Sequence, residues 1–392
     1  MSRRPFILGA AAVIAAGTIA STAVGGVLGA GQSVGGDPST YGTIGIAVEG
    51  PLTGAQASNG QDMLRGVQLA VKQYNAKGGF NGRMVQIVQV DDQANPQLAK
   101  QAAAKAIKAK VVAVVGPYNS SVGLVNLPVY TKARIVPVQM TSTDDTTGYG
   151  VTVQPKNSQI SPVESSYMLD VIKPAKVSMI VTDSAYTTGM AARLKAALEP
   201  KGVLVSEVTV KENLTQADYT AAVQQALTNN PTAVYLSTYF PEGAQLATAL
   251  KATGNPAKCF AGLANQDPGF IAAAGIPASQ NCVFSGVPEP SQFPTAKSYL
   301  KAYTKAFPGK TAGTWGTFMY DSANILFASW KTADPFKYGK VLSQLKKTKN
   351  FKGATGAITI NKQGNRPNVP VSILTVDAQG DFQVQYTNRA NK

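Results

Sequence analysis

Two glycine-bearing turns flanking one amphipathic stretch constrain this chain more than any other feature. Gly50-Pro51-Leu52-Thr53-Gly54 follows an apolar run at residues 44–48, and Asn75-Ala76-Lys77-Gly78-Gly79-Phe80-Asn81-Gly82-Arg83 precedes a second run at residues 84–90. Between the turns, Met63, Val67, Ala70, Val71 and Tyr74 recur at helical spacing and share one face. A strand, a helix packed back on it and a return to a parallel neighbour make a βαβ unit. Its first loop lies at the carboxyl end of the strand, where open α/β sheets bind ligands.

The alternation continues. Asn95-Pro96 predicts a helix start, with Asn as cap and Pro at the first helical position. The run Val111-Val112-Ala113-Val114-Val115 has the continuous β-branched character of a strand covered on both faces. Gly116-Pro117-Tyr118-Asn119-Ser120-Ser121 then turns into a helix, and a strand at residues 135–138 ends in Thr141-Ser142-Thr143. A second series begins at residue 177, with strands expected at 177–181, 204–210, 233–236 and 258–261 and helices between them. The fold class expected is α/β, with two Rossmann-like doubly wound lobes. Gln154-Pro155-Lys156-Asn157 has the composition of a crossover between them.

Composition excludes whole classes of chemistry. The chain has no histidine and only two cysteines, Cys259 and Cys282, which removes Ser-His-Asp and Cys-His catalysis and four-cysteine metal sites. No metal or cofactor is expected. Each cysteine sits in a short apolar run that reads as a strand, so the pair forms either a disulfide or two separate buried thiols. The net charge of +15 comes from 36 Lys and Arg against 21 Asp and Glu, scattered over helix faces rather than gathered in a stripe with exposed aromatics. A solvated basic surface, and no nucleic-acid partner, is the reading.

The amino terminus reads as an export signal. Arg3-Arg4 precedes an apolar segment rich in Ala, Val, Ile and Gly that carries no charge until Asp37, as in twin-arginine signals. The segment is either cleaved or kept as a membrane anchor. The body of the protein is expected outside the cytoplasm, in the periplasm or at the cell surface.

Taken in order, Gly50-Pro51-Leu52-Thr53-Gly54, the Asn75–Arg83 turn, Asp91-Asp92, Val114-Val115-Gly116-Pro117 and Asp183-Ser184-Ala185-Tyr186 resemble the leucine/isoleucine/valine-binding type of extracytoplasmic solute receptor, the type I periplasmic binding proteins of ABC importers. The resemblance implies two lobes joined by three crossovers and closing on a small ligand. By it, residues 1–40 are signal and linker, 41–155 with 287–362 form the first lobe, and 156–286 with 363–392 form the second. It also implies a monomer that meets ABC permease subunits, touching the membrane only through them or through an uncleaved anchor.

Ser120 and Ser121, where a strand ends and a helix begins, make an anion site from free N–H groups and hydroxyls, although such hydroxyls also serve as plain helix caps. Thr141, Ser142 and Thr143 end the adjacent strand. The resemblance implies that Ser120 and Thr143 hold an amino acid's carboxylate and that the Thr141 carbonyl receives its ammonium. It places Tyr186 on the opposing lobe, Asn59 where the family often has an aromatic wall, and Trp315 at the cleft, with Tyr118 and Tyr239 as weaker candidates. One departure stands out: where amino-acid-binding members carry a glutamate, this chain has Ala264. Asp267 before Pro268 reads as a helix cap, so Asn265 and Gln266 are expected to meet a neutral group, and the ligand to be a carboxylate or amide without a free amine.

The expectation is therefore a non-enzymatic capture protein for an importer; the alternative is a sensor whose closed form signals to a membrane receptor. An enzyme would need an acid/base pair, and Glu49, Asp144, Asp145, Asp183 and Asp267 do not pair in sequence.

Overall fold

A computed structural model describes residues 42–211 and 214–387. The signal-sequence reading of residues 1–40 lies outside the described residues. The first lobe is built on a five-stranded parallel sheet of β1 (Thr43–Gly50), β2 (Met84–Asp91), β3 (Ala113–Val115), β4 (Val136–Gln139) and β5 (Val151–Thr152), in the order β2-β1-β3-β4-β5. The second is built on a seven-stranded sheet. Its parallel part holds β6 (Lys176–Thr182), β7 (Leu204–Val210), β8 (Ala233–Ser237), β9 (Lys258–Ala261) and β10 (Cys282–Gly286).

The chain then returns to the first lobe, adds a small hairpin of β11 (Phe351–Gly353) and β12 (Gly356–Ile358), and crosses back. There β13 (Ser372–Val376) and β14 (Phe382–Thr387) extend the second sheet with antiparallel pairing, giving the order β14-β13-β10-β9-β8-β6-β7. Twelve helices are described. Those of the first series are α1 (Ala57–Asn75), α2 (Ala99–Lys108) and α3 (Ser120–Lys132). Those following the first crossover are α4 (Asn157–Tyr167), α5 (Ala185–Leu198), α6 (Gln216–Leu227), α7 (Phe240–Ala252), α8 (Pro268–Ala274) and α9 (Ile276–Ser279). The last three are α10 (Lys297–Ala306), α11 (Thr314–Ser329) and α12 (Tyr338–Lys346).

The opening loop is tied down by its own sequence. The Asp91 carboxylate accepts from Leu52 N at 2.9 Å, Thr53 N at 3.2 Å and the Thr53 hydroxyl, so the two resemblance motifs, the first turn and Asp91, form one structural unit. The return turn needs glycine: Gly78, Gly79 and Gly82 all have positive φ, where side chains are strained. Helix α1 lies directly against α11. A Cβ on Gly66 would stand 2.0 Å from the Gly316 carbonyl oxygen, so the pair packs at a distance only glycine allows. Asp62 joins the same two helices, accepting from Gly313 N and Gly316 N at the start of α11.

The expected start of the second helix is corrected. Asn95 accepts from Gln97 N in a local turn, and α2 begins at Ala99. Glu49 does find an acidic neighbour in space: it is fully buried beside Asp92, and burial together with the Asp92 charge raises its pKa well above normal. Asn126 donates to it, Tyr130 lies buried beside it, and the cluster has no opening to solvent, so it does no acid–base chemistry on a ligand.

Cys259 and Cys282 are disulfide-bonded and are register partners on β9 and β10. The bond closes a segment with a sequence separation of 23. Replacing both cysteines with alanine is expected to lower unfolding free energy by about 3 kcal/mol in denaturant melts, through loop entropy, and to leave ligand affinity intact.

Glu164 on α4 is completely buried against Tyr235 and Ser285. Burial pushes its carboxyl up to about 7, with hydrogen bonds from Ser285 and Tyr235 pulling the other way. The native state therefore binds more protons than the unfolded state between the two pKa values, so stability falls as pH rises through that window. Glu164→Gln is expected to flatten this part of the pH–stability curve, whose full amplitude from this group is roughly 3 kcal/mol. Chemical denaturation across the window measures it.

Candidate ligand-binding site

In both lobes the helices leave the carboxyl edges of parallel strands, and these edges face each other. α3 starts after β3, α5 after β6 and α7 after β8, so three helix N-termini converge on the seam. Their first-turn N–H groups lack partners within the helix, and each helix dipole places partial positive charge there.

A cavity lies where the edges meet. Tyr118, Ser120, Met140, Ser142, Gln154 and Trp315 line it from one side, and Tyr186, Tyr239, Leu263 and Ala264 from the other. The four aromatic rings interlock across the seam: Tyr118 is 6.3 Å from Tyr239 and 5.9 Å from Trp315 between centroids, and Tyr186 is 5.6 Å from Tyr239. They fill the space so closely that the cavity holds only ≈ 10 Å³. That is room for about one water molecule, so a metabolite enters only when the lobes part or the rings turn.

The polar walls are ordered. Ser120 Oγ accepts from Thr143 N at 3.2 Å, which joins the α3 start to the end of the neighbouring strand. Ser142 donates to the Pro155 carbonyl at 2.9 Å and accepts from Gln154 Nε2 at 3.0 Å. The other Gln154 atom, Oε1, is buried with no partner. Tyr186 accepts from Ala264 N at 3.3 Å. Trp315 Nε1 is likewise buried and unpartnered. No acidic side chain is among the cavity's lining residues.

Lys156 stands behind this wall and is almost completely buried. Its Nζ donates to the carbonyls of Thr141 and Thr143 at 3.0 and 3.2 Å and to Thr146 Oγ1 at 2.8 Å. Burial lowers its pKa to about 7, offset in part by the charges of Asp144 and Asp145.

The sequence candidates separate into groups. Ser120, Ser142, Tyr118, Tyr186, Tyr239 and Trp315 come together at the cavity. Thr141 and Thr143 sit just behind it; the Thr141 hydroxyl is engaged by Gln139 and Thr146, and its carbonyl is taken by Lys156. Ser121 acts as a clasp in this structure: its Oγ accepts from Ala185 N at 2.9 Å across the seam. Asn265 is not among the residues lining the cavity. Its Nδ2 donates to the carbonyls of Leu236, Thr238 and Gly262, and its Oδ1 accepts from Thr238, so loop shape consumes its polar atoms. Gln266 is bound to Val287 through both amide atoms and to Glu289, pinning the second crossover.

Asn59 lies elsewhere. With Ser58, Asp62 and Arg65 it lines a second cavity of ≈ 210 Å³ beyond Trp315, closed opposite by Gln266, Asp267, Pro268 and Gly269. Asp267 caps α8 as its sequence position predicts. Burial raises its carboxyl to about 7, with the charges of Asp62 and Glu289 adding to the effect.

Sequence reasoning missed Gln154 and Lys156 as parts of the site. A polar residue beside a proline in a crossover gives no sign that the fold will bury it.

This arrangement has counterparts among known proteins. The sequence model described as periplasmic binding protein matches residues 43–381. The Leu/Ile/Val-binding protein BraC3 of Rhizobium johnstonii is 27% identical over 350 residues, covering 87% of this chain and 94% of its own. Among solved structures, the leucine-binding protein LivK of Thermotoga maritima superposes with a TM-score of 0.82 at 24% identity, covering 89% of this chain and 100% of its own. A solute-binding protein of an ABC transporter from Rhodopseudomonas palustris, in complex with 3,4-dihydroxy benzoic acid, gives 0.76 at 21%, covering 89% and 98%. At these identities the two structures establish the fold alone.

Polar clasps outside the aromatic cluster also cross the seam. They include the Ser121–Ala185 hydrogen bond, Ser58 Oγ to Asp267 at 3.5 Å, and Ser158 Oγ to Asp144 at 2.6 Å. Arg193 pairs with the same Asp144 at 2.8 Å, with 43% and 29% of the side chains exposed. An exposed pair of this kind contributes about 0–1 kcal/mol. The double variant Ser121→Ala, Arg193→Ala is expected to shift the unliganded protein toward an open form, read as a larger radius of gyration in small-angle scattering, with the melting temperature changed little.

Proposed function

The chain belongs to the periplasmic binding protein family, and from that premise we propose that it captures a small carboxylate between its lobes and delivers it to an ABC importer. The family consists of binding proteins rather than enzymes and works outside the cytoplasm. In our reading the lobes are residues 41–155 with 287–362 and residues 156–286 with 363–392, and the chain acts as a monomer. Arg3-Arg4 directs export of the folded protein by the twin-arginine route.

The observation that carries the reading is the cavity lined from both lobes where three helix N-termini converge. Helix N-termini favour an anion, and the Ser120 hydroxyl, whose oxygen accepts from Thr143 N, adds a short-range donor. The ligands named for BraC3 and for the Rhodopseudomonas protein share a carboxyl group and little else. A carboxylate head at the α3 start, with its remaining body against Tyr118, Tyr186, Tyr239 and Trp315, uses what this cleft offers. Parting of the lobes admits the ligand, and reclosure around it presents the face that the permease recognises.

Capture raises the melting temperature because the ligand binds the native state alone. A thermal-shift screen over branched-chain amino acids, aromatic acids, amides and polyols is expected to give stabilisation by carboxylates and not by polyols. Trp315→Phe and Tyr186→Phe are expected to weaken binding by about tenfold each, the loss of roughly one hydrogen bond or one packed ring edge. Stabilisation by polyols alone, or by none of the classes, would contradict the proposal.

A further inference from the structure

We propose that Lys156 is the fixed counter-charge of the cleft and that it selects a carboxylate carrying no ammonium group. The inference rests on the capture reading above and names the ligand class for that same site. Lys156 has no carboxylate within ion-pairing distance among the described residues; the three ion pairs found there involve other side chains. Its Nζ is instead held by the carbonyls of Thr141 and Thr143, the residues on either side of Ser142, which lines the cavity. A buried cation held only by neutral dipoles is incompletely compensated. The space its field reaches is walled by helix N-termini and hydroxyls, and no acid is among the lining residues.

Two consequences follow. The carbonyls at this strand end that would accept a ligand's ammonium already accept from Lys156, so an amine brought here meets a like charge and occupied acceptors. A carboxylate meets the missing opposite charge. The acceptor left over is Gln154 Oε1, buried and without a partner at the cavity wall, which suits a neutral donor such as a hydroxyl on the ligand.

Proton linkage gives a readout that simple packing would not. The charged groups facing Lys156 are Asp144 and Asp145; Asp144 also pairs with Arg193, and Asp145 lies at the surface. With its pKa lowered to about 7, the Lys156 amine is mostly neutral at pH 8, and an arriving anion raises that pKa. Binding then takes up a proton, and affinity falls by up to about tenfold per pH unit above 7.

The test pairs leucine with isocaproate and phenylalanine with hydrocinnamate, each pair differing by the amine. Affinity and proton uptake are measured by calorimetry at pH 6 and pH 8 in buffers of different ionisation enthalpy. The deaminated member of each pair is expected to bind at least tenfold more tightly, with uptake of roughly half a proton or more at pH 8 and little at pH 6. In Lys156→Met the uptake disappears and the acid binds more weakly. Should that variant not fold, Lys156→Arg keeps the charge at every pH and is expected to bind without uptake. Amino acids that bind as tightly as their deaminated partners overturn the inference and leave capture standing. Uptake that persists in either variant assigns the proton to Glu164 or Asp267 and also overturns it. Binding of none of the four compounds overturns it together with the carboxylate-capture reading.

Discussion

The site depends on a constraint of parallel sheets: every crossover helix begins at the carboxyl edge of the strand before it. In this chain α3, α5 and α7 obey that rule in two separate sheets, and the two edges are turned toward one another. Backbone N–H groups at the starts of all three helices are thereby brought to one seam, without any basic side chain lining the cavity. Side-chain chemistry then refines a preference that the backbone has already set. Ser120 and Ser142 add hydroxyls, and Lys156 supplies charge from behind the wall.

Closure here is tight. Tyr118, Tyr186, Tyr239 and Trp315 occupy the seam and leave space for about one water, so the rings and the ligand compete for the same volume. Such a cleft works by exchange: ring-on-ring packing is given up on opening, and packing of the rings on the ligand replaces it on reclosure. Several of the clasps outside the cluster involve exposed groups, such as the Arg193–Asp144 pair and the Ser158–Asp144 hydrogen bond, and exposed pairs of this kind hold weakly. The rigid parts lie elsewhere, in the glycine-to-glycine approach of α1 and α11 and in the disulfide between β9 and β10.

Much of the fold was legible because parallel strands covered on both faces read as unbroken apolar runs, such as residues 111–115. The glycine turn at Gly78-Gly79 was legible because positive φ leaves few other residues possible. Other elements were opaque for definite reasons. α4 begins in what looks like a linker and contains Pro162. Antiparallel β13 and β14 have no helix between them to give the βα rhythm. The site divides in the same way. Ser120 and Tyr186 follow strand ends and could be placed by position. Asn265 and Gln266 looked available, yet an amide with four hydrogen-bonding positions in a tight loop is readily consumed by backbone. Lys156 and Gln154 were invisible as site residues because burial of a polar side chain is decided by tertiary packing.

A crystal structure grown with isocaproate tests the central claim most directly. The account predicts its carboxylate at the start of α3 beside Ser120 and Ser142, its alkyl body between Tyr186, Tyr239 and Trp315, and the lobes closed over it. Isocaproate absent from the seam, or seated only in the cavity beside Asp62 and Asp267, would contradict the account.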